Sequence, residues 1–84
     1  MRNEELLIRL TQTQGIAGYE KKVRELIEEE VRPYADELIV DPLGSLIAVK
    51  KGKGGPRSKK IMFAAHMDEI GFMVKKIEED GRLL

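Results

Sequence analysis

The residues able to do chemistry are concentrated in one stretch, Ala65-His66-Met67-Asp68-Glu69-Ile70-Gly71. It holds the chain's single histidine, with two acids close behind. Before it runs Ile61-Met62-Phe63-Ala64-Ala65, a near-continuous apolar segment. Such a run predicts a strand buried on both faces, as in the centre of an α/β sheet. The ends of strands in open α/β sheets are where ligands bind. In extended backbone, His66 and Asp68 point to the same side and Glu69 faces away. A metal-bound imidazole needs its other ring nitrogen held by an acceptor, commonly a carboxylate. His66 and Asp68 offer both groups from one segment, provided the backbone bends to bring them together. Gly71 reads as the point where the chain turns out of the sheet. The His-x-Asp pattern also recurs by chance, with a surface histidine as the plain alternative, and alone it names no reaction.

The preceding elements must position this segment. Residues 3–13 place Leu6, Leu7 and Leu10 at helical spacing, which predicts a short amphipathic helix. Gln14-Gly15-Ile16-Ala17-Gly18 breaks it, and its glycines point to unusual dihedrals or a close backbone approach. A second helix is predicted over residues 19–31. Val23, Leu26, Ile27 and Val31 form its apolar face, Glu20 suits the dipole of its first turn, and Pro33 stops it. Then the period changes. Residues 37–40 and 45–50 read as an antiparallel strand pair joined by the turn Asp41-Pro42-Leu43-Gly44. Ile70 to Val74 reads as a further strand, and Asp80-Gly81 as a hairpin turn into a returning strand at Leu83-Leu84.

Composition bounds the alternatives. An 84-residue chain is expected to bury only about 60–65% of its unfolded surface, so its own core is marginal. With no cysteine, disulfides and thiolate zinc sites are excluded. With one histidine, a metal site made by this chain alone would rest mostly on carboxylates. Fifteen basic and fifteen acidic residues cancel, which argues against a nucleic-acid module. Residues 50–60 carry six Lys or Arg with three glycines. A solvated loop explains them as well as phosphate binding does, and the Gly-Lys-Ser/Thr ending of a phosphate-binding loop is missing. The apolar run at residues 61–65 is too short to span a bilayer, so no membrane partner is expected. Cytoplasmic residence is the expectation.

A longer pattern adds to these readings. Ala64-Ala65-His66-Met67-Asp68-Glu69-Ile70-Gly71-Phe72-Met73-Val74 resembles the signature of the tetrahedral-type (glutamyl/deblocking) aminopeptidases, a family of dinuclear metallopeptidases. Gly15-Ile16-Ala17-Gly18-Tyr19-Glu20 is similar to that family's loop into its second helix. Asp41-Pro42-Leu43-Gly44-Ser45-Leu46 is similar to its Asp-x-x-Gly-Asn-Leu turn, with Ser45 in place of the usual Asn. The resemblance covers essentially the whole chain and only the N-terminal portion of the family.

It implies an α/β fold. Residues 1–69 would be the N-terminal part of a metallopeptidase catalytic domain, two helices and then strands. Residues 70–84 would open an inserted PDZ-like β domain, which in the family drives dimerisation and assembly into a hollow dodecamer. His66 matches a metal ligand, and Asp68 matches the acid of the catalytic machinery that orients it. The bridging Asp, the Glu base, two more acidic ligands and a second His have no counterpart among these 84 residues. Two divalent ions, zinc or cobalt, are implied for the family, with at most one ligand supplied here. They would activate water for attack on the first peptide bond of an unblocked peptide.

The sequence is therefore expected to be the front portion of a metal-dependent aminopeptidase, inactive by itself. The competing expectation is a non-catalytic truncated or split module that acts in assembly or self-association, because unpaired strand edges are sticky. Some family members carry an endoglucanase label. Sugar hydrolysis needs two carboxylates flanking the scissile bond, whereas Asp68 and Glu69 face opposite sides of a strand.

Overall fold

The computed structural model describes residues 2–84, and Met1 lies outside them. Helix α1 spans Asn3–Gln12. Glu4 and Glu5 in its first turn and Arg9 in its last match the helix dipole. The hydroxyl of Thr13 donates to the Arg9 carbonyl at 2.6 Å, and Thr13 itself is extended, which ends the helix. Helix α2 spans Lys21–Val31. Pro33 follows in a 3-10 turn, Arg32–Tyr34, as expected for a residue that cannot continue an α-helix. Both helices thus lie where their periodicity predicts.

Strands β1 (Glu37–Val40) and β2 (Leu46–Val49) pair antiparallel, with Leu38 opposite Ala48 and Ile39 opposite Ile47. The turn between them is organised by Asp41. Its Oδ1 accepts from the backbone N–H of Leu43 at 3.0 Å and of Ser45 at 2.8 Å. Gly44 sits at φ +92°, where a β-carbon is strained. The hairpin packs on α2. Val23 and Leu26 of that helix are the buried apolar side chains among the described residues. Arg9 of α1 reaches Glu30 at 3.2 Å and Glu29 at 3.8 Å on α2. These are exposed ion pairs, each worth about 0–1 kcal/mol.

The expectation of strands at residues 61–65 and 70–74 is corrected. Neither segment forms a strand. Both lie at the surface, with Phe63 94% and Phe72 95% exposed. Strands are built by ladder hydrogen bonds to a neighbour, and among the described residues no strand lies beside these segments. The hairpin at the end of the chain does form. Ile77 pairs with Leu83, and the Glu78 N–H donates to the Arg82 carbonyl at 2.8 Å around Asp80-Gly81.

The result is an open, elongated body of 64 × 30 × 16 Å. Its radius of gyration is 17.5 Å, against about 12 Å for a compact domain of this length. Its accessible surface is 8044 Å², whereas a compact 9.5 kDa protein would expose about 5,000 Å². About 3,000 Å² therefore stays in water that a closed fold would remove. The architecture is a small α/β arrangement of two helices and a two-stranded sheet. No helix is long and apolar enough to cross a membrane among the described residues.

Candidate functional site

His66 and Asp68 come together. The imidazole Nδ1 lies 3.0 Å from Asp68 Oδ1 and 3.1 Å from the Asp68 backbone carbonyl oxygen. A carboxylate and a carbonyl can only accept. In the neutral ring Nδ1 is therefore the donor, and Nε2 keeps its lone pair for a ligand. The His66 side chain is 85% exposed and that of Asp68 41% exposed. The ring is thus oriented by its neighbour rather than by burial, and Nε2 is accessible.

The segment is held from an unexpected side. The Glu69 N–H donates to the Gly15 carbonyl at 2.8 Å, and Ile16 forms an isolated parallel bridge with Glu69. The loop between α1 and α2 thus lies beside the His66 segment. Ile16, Ala17, Ile70 and Gly71 border a shallow open depression next to His66 and Asp68. The role expected of Gly71 is corrected. The chain makes neither a turn nor a bend at Gly71, and its φ is not positive. What it provides is room, since a β-carbon there would lie 2.7 Å from Cγ1 of Ile16. Sequence reasoning marked the Gly15–Gly18 loop but missed its contact with Glu69. Neither Gly15 nor Ile16 carries a reactive group that could have flagged it.

The donor set suits one share of a metal centre. An imidazole with one nitrogen anchored on a carboxylate and the other free is the arrangement of metal-ligating histidines. Among the described residues, however, no group of three His, Cys, Asp or Glu side chains is placed to hold an ion. A catalytic zinc typically takes three protein ligands. These residues therefore fit a metal as one ligand and its orienting acid, not as a complete site.

The family model described as M42 glutamyl aminopeptidase matches residues 44–84. Over 79 residues the chain is 54% identical to a provisionally named aminopeptidase of Acetivibrio thermocellus, covering 94% of this chain and 23% of that protein. Over 80 residues it is 41% identical to the lysyl aminopeptidase of Pyrococcus furiosus, covering 94% of this chain and 22% of that protein. Over 72 residues it is 38% identical to the glutamyl aminopeptidase of Lactococcus lactis, covering 86% of this chain and 20% of that protein. The chain thus resembles the M42 glutamyl aminopeptidases over residues 44–84 and, over nearly its whole length, a short N-terminal portion of proteins named aminopeptidases. It spans less than a quarter of the length of these relatives.

Proposed function

We propose that this chain supplies one side of the metal centre of a metal-dependent aminopeptidase. His66 contributes Nε2 as a ligand, and Asp68 holds the ring through Nδ1. The carrying observation is the 3.0 Å contact between Nδ1 and Asp68 Oδ1, which leaves Nε2 as the free nitrogen. The similarity to aminopeptidases supports the reaction class. His66, oriented by Asp68, would be one of several ligands to a divalent ion, zinc or cobalt, which when bound would supply Lewis acidity for peptide hydrolysis. The part played by this chain is orientation. Asp68 fixes the tautomer and the plane of the ring, so the ligand nitrogen is presented without a rotational search. The substrates are peptides with a free amino terminus. Residues 1–69 would belong to the catalytic domain, and residues 70–84 would begin a PDZ-like insertion.

Native mass spectrometry with metals retained tests this reading. It expects His66 in an assembly heavier than the 9.5 kDa chain, with two divalent ions per unit and release of N-terminal residues from peptides. A bare 9.5 kDa chain that binds no metal in any assembly would overturn it. One observation favours a second reading, a non-catalytic module that acts by association. Residues 61–63, 70 and 72 are apolar and nearly fully exposed. A metal-free homo-oligomer without peptidase activity would decide for that reading.

A further inference from the structure

We propose that Gly71 and Ile16 form a steric lock that positions the His66–Asp68 pair, so that the loop between α1 and α2 sets the direction of the imidazole. The functional meaning of this lock rests on the reading of His66 as a metal ligand. Its geometry does not. A β-carbon at position 71 would lie 2.7 Å from Ile16 Cγ1 and 3.1 Å from Cδ1. Cγ1 is one bond from the β-carbon of a branched residue whose χ1 is stiff. The clash therefore cannot be relieved by swinging the end of a flexible side chain. Relief needs a new χ1 or a shift of the loop.

The other side of the loop is close as well, though less so. A β-carbon on Gly15 would meet Val23 Cγ1 at 3.0 Å and the Met67 carbonyl oxygen at 3.4 Å. Val23 is 4% exposed and belongs to the packed face of α2. Gly15 and Ile16 are thus wedged between α2 and residues 67–71. Within that wedge the Gly15 carbonyl accepts the Glu69 N–H at 2.8 Å. The backbone is thus held at Glu69, directly after Asp68. Asp68 can then keep its Oδ1 and its carbonyl oxygen on the same nitrogen of His66. Helix α2 anchors the loop, the loop anchors Glu69, and Glu69 places Asp68. Ile16 and Gly71 are positioning residues in this chain of contacts.

The test is NMR of the 84-residue chain, at a pH well above the ordinary imidazole range. In the unmodified chain the Glu69 amide is expected to be protected from exchange, and His66 is expected to show the single tautomer protonated at Nδ1. Gly71→Ala is expected to lower Glu69 protection at least about fivefold. It is also expected to give His66 a mixed tautomer signature, while the β1–β2 amides stay protected. Ile16→Ala added to Gly71→Ala removes Cγ1 and Cδ1 and is expected to return both signals toward the unmodified values. If Gly71→Ala alone unfolds the hairpin, the double variant decides. The lock is overturned by Gly71→Ala with unchanged Glu69 and His66 signals. A double variant that keeps its hairpin but stays perturbed at both residues also overturns it. Neither readout uses a metal or a peptide, so a lock that holds in a chain that never joins a peptidase refutes the functional reading alone.

Discussion

Arg24 and Gly44 lie twenty residues apart and are joined by a hydrogen bond of 3.1 Å from the guanidinium Nη1 to the backbone carbonyl oxygen. It is part-buried, and it ties α2 to the turn between β1 and β2. Arg24→Ala removes the donor and leaves the carbonyl with less company. The expected cost is about 1–2 kcal/mol, read as a lower urea midpoint in helical circular dichroism. A midpoint equal to that of the unmodified chain would show that water replaces the guanidinium at no cost.

Gly44→Ala attacks the same corner twice. The backbone at φ +92° strains any β-carbon, and that carbon would lie 3.1 Å from Arg24 Nη1. A loss of about 1–2 kcal/mol is expected from the dihedral alone. Faster exchange of the β1–β2 amides is the readout, with Gly52→Ala as the control, because a β-carbon at 52 meets its nearest neighbour only at 3.9 Å.

Two leucine truncations should separate the packed part of the chain from the open part. Leu26 is 7% exposed, and Leu26→Ala should cost about 2–3 kcal/mol. Leu7 is 61% exposed on α1, and Leu7→Ala should stay within about 0.5 kcal/mol. Equal effects in thermal melts would place the packing elsewhere than on α2.

The exposed apolar residues predict association. Phe63 at 94% and Phe72 at 95% exposure are large rings in water. Large apolar side chains exposed in this number favour association. The chain should sediment above 9.5 kDa at micromolar concentration. Phe63→Asp with Phe72→Asp should shift it toward the monomer while leaving helical content unchanged. A monomer at all concentrations would remove the case for a sticky surface.

The isolated chain should release no amino acid from an unblocked peptide, even with zinc or cobalt in excess. Among the described residues no group of three His, Cys, Asp or Glu side chains is placed to hold an ion. A catalytic ion typically needs three protein ligands. Turnover by a pure, intact preparation that is lost in His66→Ala would mean that the chain completes a site by self-assembly.

Much of the fold was legible because its rules are local. Val23, Leu26, Ile27 and Val31 mark α2 by spacing, and Pro33 marks its end. Asp41 and Gly44 mark the turn by their chemistry, and Asp80-Gly81 marks the last hairpin. His66 and Asp68 could be paired from their two-residue separation. The strands expected at 61–65 and 70–74 failed for a different reason. A run such as Ile61 to Ala65 states a preference for burial, but a strand exists only beside a partner. The contacts of Gly15 and Ile16 with Glu69 and Gly71 were illegible because long-range pairing leaves no period in the sequence.

The open shape has a calorimetric consequence. Unfolding a compact domain of this length raises the heat capacity by about 1.0–1.3 kcal/mol/K, mainly through newly wetted apolar surface. In this chain Ile61, Met62, Phe63, Ile70 and Phe72 are wet before unfolding begins. Their share of that increment is missing, so its stability should vary less steeply with temperature than that of a closed domain. The missing share reappears when something covers them, as a negative heat-capacity change of association. Titration calorimetry at several temperatures would thus weigh the hidden face of this protein through the slope of its binding enthalpy.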